Sequence, residues 1–184
     1  IHKELLINTE WNKPIGTRLM NKNLGFIGFG SIGQYTAKLL KPFGVNIFYY
    51  DPYSDKSDNS IALKKDLKFL QKTSDILVVT ASLTEETRHL VNKQFFNNLE
   101  KKPYIVNVSR GQIINEEDLI YALDKDLISG CALDVFEKEP VIDGNPLRGF
   151  NNVIFSTHNA SNTLEANNSV NQQVTNTLLK WISE

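Results

Sequence analysis

Apolar and polar positions along the chain change period several times, and each change marks an element. Leu24, Phe26 and Ile27 form a short apolar run ahead of Gly28-Phe29-Gly30-Ser31-Ile32-Gly33. After that turn Ile32, Tyr35, Leu39, Leu40 and Phe43 recur at helical spacing until Gly44, which predicts an amphipathic helix stopped by glycine. Val45, Ile47, Phe48, Tyr49 and Tyr50 predict a second strand ending at Asp51. Beyond a polar stretch to Ser60, the residues Ile61, Leu63, Leu67 and Leu70 read as one helix, and Asp75–Thr80 as a third strand covered on both faces. Thr84-Glu85-Glu86-Thr87 offers the acceptors of a helix start, with Phe95, Phe96 and Leu99 as its buried side. Tyr104–Val108, Ile128–Val135 and Val153–Phe155 complete six strands, with a helix from Glu116 to Leu123 between the first two. Strands alternating with helices in this way predict an α/β fold with a doubly wound parallel sheet, whose ligands lie at the carboxyl ends of the strands. The last segment, from Thr163 to Trp181, carries only a narrow apolar stripe of Val170, Val174, Leu178 and Trp181, which suits a helix that packs lightly or bridges to another domain.

Three glycines at this spacing carry little weight alone; their place between a strand and a helix is what points to a dinucleotide. Gly28 permits the tight turn, Gly30 lets the backbone approach a pyrophosphate, and Gly33 allows helix and strand to pack closely. The unpaired N–H groups of Ser31, Ile32 and Gly33 then favour an anion at the helix N-terminus. Asp51 follows Gly33 by 18 residues, near the spacing at which an acid meets the adenosine ribose. Its charge opposes a 2′-phosphate, and Pro52, Tyr53, Ser54 and Asp55 supply no arginine to welcome one, so NAD is favoured over NADP. The plainer reading of Asp51 is a turn residue before proline.

Composition narrows the partners. The 184 residues carry a net charge of −1 and no polybasic run, which gives no electrostatic case for nucleic acid or a membrane surface. No apolar stretch is long enough to span a bilayer. The single cysteine, Cys131, lies between small and apolar neighbours, reads as a buried strand position, and suits a reducing, cytoplasmic compartment. His2 and His89 show no partner pattern and read as structural. The chain begins at Ile1 with a short helical pattern and an arm containing Trp11 and Pro14, so it reads as a piece of something longer.

Three strands deliver one polar group each to the same edge: Arg110 after Asn107-Val108-Ser109, Glu139 within Leu133–Pro140, and His158 after Ser156-Thr157. Together they suit a carbonyl–alcohol redox step on a small carboxylate. Arg110 would hold the carboxylate and polarise the carbonyl, His158 would exchange a proton, and Glu139, if it meets the imidazole, would favour its protonated form. Singly, each has a duller reading: a turn residue, a member of an exposed charged segment, a polar loop residue.

These stretches, with Gly25–Gly33 and the segment from His158 to Ala166, resemble the cofactor-binding domain of the D-isomer-specific 2-hydroxyacid dehydrogenases over about Trp11 to Glu165. The interval of 29 residues from Arg110 to Glu139 matches that family. The resemblance implies catalytic positions at Arg110, Glu139 and His158 and no metal. It implies cofactor positions at Gly28, Gly30, Ser31, Ile32, Gly33, Asp51, Val108, Ser109, Arg110, Asp134, His158, Ala160 and Ser161, with Asp134 close to the nicotinamide carboxamide. Thr80 and Ser82 replace a histidine and a proline common in the family, which bears on the stiffness of the loop beneath the adenosine. Asn159 stands where an apolar residue is common, and Glu139 in place of glutamine argues against the formate-oxidising branch. By the same likeness residues 1–22 form a crossover helix and dimer arm, 23–162 the dinucleotide-binding domain, and 163–184 a helix returning toward a substrate domain whose N-terminal segment is missing, and the parent is a homodimer. The isolated piece is then expected to bind NAD and turn over little substrate. The competing reading from a different class is an NAD-sensing interaction module like the transcriptional corepressors that share this fold.

Overall fold

Seven parallel strands, one more than the pattern predicts, make up the sheet of the computed structural model, which describes residues 15–54 and 60–183. The strands are β1 (Asn23–Ile27), β2 (Asn46–Tyr50), β3 (Leu63–Lys64), β4 (Ile76–Val79), β5 (Tyr104–Asn107), β6 (Gly130–Leu133) and β7 (Val153–Phe155), in spatial order β3-β2-β1-β4-β5-β6-β7. Between and after them run α1 (Ser31–Leu40), α2 (Leu67–Thr73), α3 (Lys93–Asn97), α4 (Glu116–Asp124) and α5 (Leu164–Ser183). Strand order reverses between β1 and β4, and a crevice opens there outside the carboxyl ends, as in other doubly wound sheets. The expected helix and arm at Ile1, Trp11 and Pro14, and His2 with them, lie outside the described residues.

Two expectations are corrected by the edge strand and the turn before α3. Leu63 and Lys64 pair with Phe48 and Tyr49 instead of opening a helix, and α2 starts only after Asp66, whose carboxylate accepts the Phe69 N–H at 2.7 Å. Thr84–Thr87 closes on itself: the Thr84 N–H donates to Thr87 Oγ1 at 2.7 Å, and the helix waits for Asn92, which caps α3 through Phe95 N–H. In both places an Asp, Asn or Thr side chain captures a backbone donor that a longer helix would have used internally.

Helix α1 turns its small residues inward and its large ones outward, the reverse of what the apolar spacing implies. Gly33 and Ala37 are buried and Leu40 packs against the core, whereas Ile32, Tyr35 and Leu39, with Phe43 just beyond the helix, are each more than half exposed. Close approach explains it: a Cβ on Gly33 would stand 3.0 Å from Thr80 Oγ1 and 3.2 Å from Gly28 O, so bulk cannot lie on that side. The apolar stripe is left on the surface.

The core fills both faces of the sheet. One cluster gathers Phe26, Phe29, Ile47 and Tyr49 beneath α1, with Phe29 stacked on Tyr49 at 4.2 Å; the other gathers Leu70, Leu77, Phe96, Ile105, Ile113 and Leu119. Cys131 is buried as expected, and burial pushes its thiol up to about 12. Helix α5 buries none of its residues. Among the described residues no helix is long and apolar enough to cross a membrane.

Ser74 marks a defect in the core. Its Oγ is buried with no hydrogen-bond partner among the described residues, pressed toward Gly25, where a Cβ would lie only 2.4 Å away. An orphaned hydroxyl costs roughly 1–3 kcal/mol of desolvation. Ser74→Ala is therefore expected to leave the fold intact and raise stability by up to about 1 kcal/mol, read as a higher denaturation midpoint in urea with unchanged slope.

Candidate active site

The glycine turn is anchored from three directions. Phe29 fixes it from below by ring stacking, Thr80 Oγ1 donates to Gly28 O at 2.7 Å, and the Phe29 N–H donates to Asp51 Oδ2 at 2.8 Å. Gly28 has φ +84°, in the left-handed region, and a Cβ there would meet the Ala81 backbone at 2.4 Å, so glycine is required on both counts. Thr80, whose presence put the stiffness of this loop in question, instead ties β4 to the turn.

Asp51 is already engaged on the protein side. Oδ1 accepts the N–H groups of Tyr53 at 2.9 Å and Ser54 at 3.1 Å, while Oδ2 takes Phe29. These bonds hold the carboxylate at the mouth of a cleft of about 510 Å³ lined by Gly28, Phe29, Asp51, Tyr53, Thr80 and Glu86, among others. Tyr53 OH donates to Glu86 Oε2 at 2.5 Å across this cleft, a contact that pattern reading did not suggest.

A dinucleotide fits these residues. Gly30 precedes α1 with no side-chain cap, and a Cβ built on it meets nothing within 4 Å, so the side facing the uncapped N–H groups of Ser31, Ile32 and Gly33 is open.

Strand β5 ends in buried Asn107, and this side chain shapes the next three residues. Asn107 Oδ1 accepts the Ser109 N–H at 3.1 Å and its hydroxyl at 2.9 Å, while Nδ2 donates to Arg110 O at 3.1 Å. Val108 and Ser109 are thereby fixed at the strand end, and the exposed Arg110 places one guanidinium N–H on Ser109 O at 2.6 Å. The asparagine-to-serine interval was the available signal for this turn. Gly111 follows because nothing larger fits: a Cβ there would fall 1.9 Å from the Phe136 carbonyl carbon.

Glu139 and His158 are brought together. His158 Nδ1 lies 2.8 Å from Glu139 Oε2, and Glu139 Oε1 accepts the Phe136 N–H at 2.9 Å. An ionised Glu139 assigns the ring proton to Nδ1, and no hydrogen bond among the described residues occupies Nε2. Burial pushes the Glu139 carboxyl up, but the His158 ring and the Phe136 N–H outweigh it and hold the group below its ordinary value. Arg110 shares the sheet edge with this pair, yet no hydrogen bond or ion pair joins it to either partner among the described residues.

Asp134 has a task that motif reading did not reveal. Its carboxylate accepts the N–H groups of Asn159 and Ala160, both at 3.0 Å, and its carbonyl accepts the His158 N–H at 2.8 Å. These bonds hold His158 at φ +55°, a left-handed backbone unusual for a side chain of its size. Burial raises the Asp134 carboxyl, and the Ser156 hydroxyl with the Ala160 and Asn159 N–H groups lowers it further than burial raises it. Ser161 continues the same exposed loop.

His89, read from the sequence as structural, lies within reach of an acid that the pattern did not suggest. It has a partner: Nε2 lies 2.6 Å from Glu137 Oε1.

The family model for the D-isomer-specific 2-hydroxyacid dehydrogenase NAD-binding domain matches residues 2–160. A glyoxylate reductase of Thermofilum pendens is 38% identical over 177 residues, covering 90% of this chain and 52% of that protein. A D-3-phosphoglycerate dehydrogenase of Methanocaldococcus jannaschii is 40% identical over 162 residues, covering 85% of this chain and 31% of the relative. Among solved structures, the NAD complex of an NAD-dependent formate dehydrogenase from Staphylococcus aureus superposes with a TM-score of 0.89 at 30% identity, over 98% of this chain and 56% of that one. The chain thus spans between about a third and about three fifths of the proteins it matches.

The folded values of Asp134 and Glu139 lie below their unfolded ones, so the stability these groups contribute is complete above the ordinary carboxylate values of 3.8 and 4.5 and is lost as pH falls through the lowered ones. The stability gap between wild type and Asp134→Asn is expected to be at full width above the ordinary carboxylate value of 3.8 and to narrow as pH falls below it, measured by urea unfolding as a function of pH. With the glycine turn, the cleft and the match over most of its length agreeing, the chain belongs to the D-isomer-specific 2-hydroxyacid dehydrogenase family, as its NAD-binding domain.

Proposed function

We propose that this chain is the cofactor-binding and acid–base half of an oxidoreductase that transfers a hydride between NAD(H) and a small 2-oxo or 2-hydroxy acid. The observation that carries the reading is the 2.8 Å contact between His158 and Glu139 at the carboxyl end of the sheet that also bears the dinucleotide cleft. The relatives named as glyoxylate reductase and D-3-phosphoglycerate dehydrogenase support this substrate class.

A bound nicotinamide supplies or accepts the hydride. Ser31, Ile32 and Gly33 would hold the pyrophosphate through their N–H groups, Asp51 the adenosine ribose, and Val108, Ser109, Asp134, Ala160 and Ser161 would border the nicotinamide end. Arg110 is exposed and permanently charged, so it can swing from Ser109 O to grip a substrate carboxylate and draw electron density from the adjacent carbonyl. In reduction His158 gives the Nε2 proton to the carbonyl oxygen as hydride reaches carbon; in oxidation it removes the hydroxyl proton. Glu139 stabilises the charged ring and fixes its tilt. In this chain the His158 side chain is 47% exposed, and water competes there with substrate.

Two supporting features extend the reading. The outward stripe of Ile32, Tyr35, Leu39 and Phe43 suits a second copy of the chain as partner, and the lone buried cysteine suits a reducing, cytoplasmic setting. Leu39→Glu is expected to shift the chain toward monomer in sedimentation equilibrium while leaving NADH binding intact.

Titration calorimetry should detect NADH binding by this chain, and an absence of heat would refute the assignment. His158→Ala should retain that binding while lowering NADH oxidation with glyoxylate, hydroxypyruvate or pyruvate by about 10²- to 10⁴-fold, from a wild-type rate already limited by the open site. Equal turnover in wild type and variant would remove His158 from the mechanism.

A further inference from the structure

Glu137-Lys138-Glu139 carries two glutamates that each meet a histidine from a different part of the chain. Glu139 meets His158 at 2.8 Å, and Glu137 meets His89 at 2.6 Å. We propose that Glu137 and His89 are positioning residues: they lock the segment that carries Glu139 against the turn that carries Arg110, and so fix how Glu139 presents itself to His158. The inference rests on the acid–base reading of Glu139 and His158 given above.

The Glu137 connections are unusually complete for a loop side chain. Oε1 holds His89, Oε2 accepts the Glu116 N–H at the start of α4 at 2.9 Å, and the Glu137 N–H donates back to Glu116 Oε2 at 3.3 Å. Glu116 in turn accepts from Asn145 Nδ2 at 2.7 Å, on the connection leading to β7. The backbone is tied as well: Gln112 Nε2 donates to Glu137 O at 3.0 Å, and the His89 N–H donates to Gln112 O at 2.9 Å. Gln112 is two residues from Arg110, and Glu137 is two from Glu139. A closed circuit of His89, Gln112 and Glu137 therefore sets the distance between the two loops, and the bare Gly111 surface pressed on Phe136 leaves that distance no slack.

His89 occupies this place against its own backbone preference, at φ +50°, where L side chains rarely sit. A residue held there with its ring on a carboxylate points to the contact as the thing being kept. Glu139 has its other oxygen on the Phe136 N–H, so a shift of Phe136 or Glu137 moves the carboxylate that chooses the His158 ring proton.

That choice is measurable without turnover. In long-range nitrogen–proton spectra of histidine-labelled chain, recorded above the pH at which the same spectra show the ring to have lost its charge, wild-type His158 is expected as the Nδ1–H tautomer donating to Glu139. Glu137→Ala should return it toward the Nε2–H form that free imidazole prefers, and Glu137→Gln, which keeps the length of the side chain and one of its two acceptor oxygens, should restore most of the wild-type pattern. His89→Gly removes the same tie while suiting the left-handed backbone, so it keeps the fold and should show the same loss of the Nδ1–H form. Lys138→Ala, an exposed neighbour, should change nothing. If Glu137→Ala and His89→Gly alter melting temperature alone and leave the His158 tautomer unchanged, Glu137 and His89 are structural and the proposal falls. If wild-type His158 already shows the Nε2–H form, it is instead the Glu139–His158 acid–base reading that fails.

Discussion

Carboxylates accepting backbone N–H groups hold this site together. Loops at the carboxyl ends of parallel strands have left the ladder, so their donors need acceptors from side chains. Asp51 serves Phe29, Tyr53 and Ser54; Asp134 serves Asn159 and Ala160; Glu137 serves Glu116; Glu139 serves Phe136. Each bond is charge-assisted; those from Asp51 to Phe29 and those of Asp134 and Glu137 cross between segments, while Asp51 to Tyr53 and Ser54 and Glu139 to Phe136 close local turns, so the acids that would meet cofactor or substrate also determine where their loops run. Asp75 repeats the device at the opposite end of the sheet, where it takes the Asn23 N–H with Lys101 beside it.

Economy of this kind couples stability to chemistry. A carboxylate tied to two or three donors is pre-oriented and needs little rearrangement when charge develops nearby. The cost is carried by the backbone at His158 and His89, both left-handed, and by close contacts that only glycine tolerates at positions 28 and 111. Placing the acid–base pair on loops braced by neighbouring loops leaves Arg110 the freer member, as a residue that must reach for substrate requires.

Much of this was legible in the sequence. The parallel doubly wound sheet, the glycine turn feeding α1, Asp51 at the end of β2 and the buried Cys131 all follow from period and spacing, and so does the delivery of Arg110, Glu139 and His158 to one edge, whereas a meeting of Glu139 with His158 stood there only as a condition. The misreadings share one cause. Leu63, the Thr84–Thr87 turn and the outward stripe of α1 were assigned from apolar spacing or cap chemistry within a short window. Partners outside the helical pattern decided each of them: β2 for Leu63, the Thr87 side chain three residues on for the turn, and the crowded Gly28–Thr80 contact for α1.

Sequence by itself determined most of the elements and their order, with β3 and the start of α3 the exceptions, because hydrophobic period and turn residues act over a few positions at a time. It also determined the chemical types present at the strand ends. Only the tertiary structure decided which acid serves which partner: that Asp134 pins the His158 loop, that Asn107 shapes the Arg110 turn, and that His89, read as unpartnered, meets Glu137 across 48 residues. Hydrogen bonds reach about 3 Å, and their partners here are set by how loops from separate strands come to lie side by side, a relation that no local window of sequence contains.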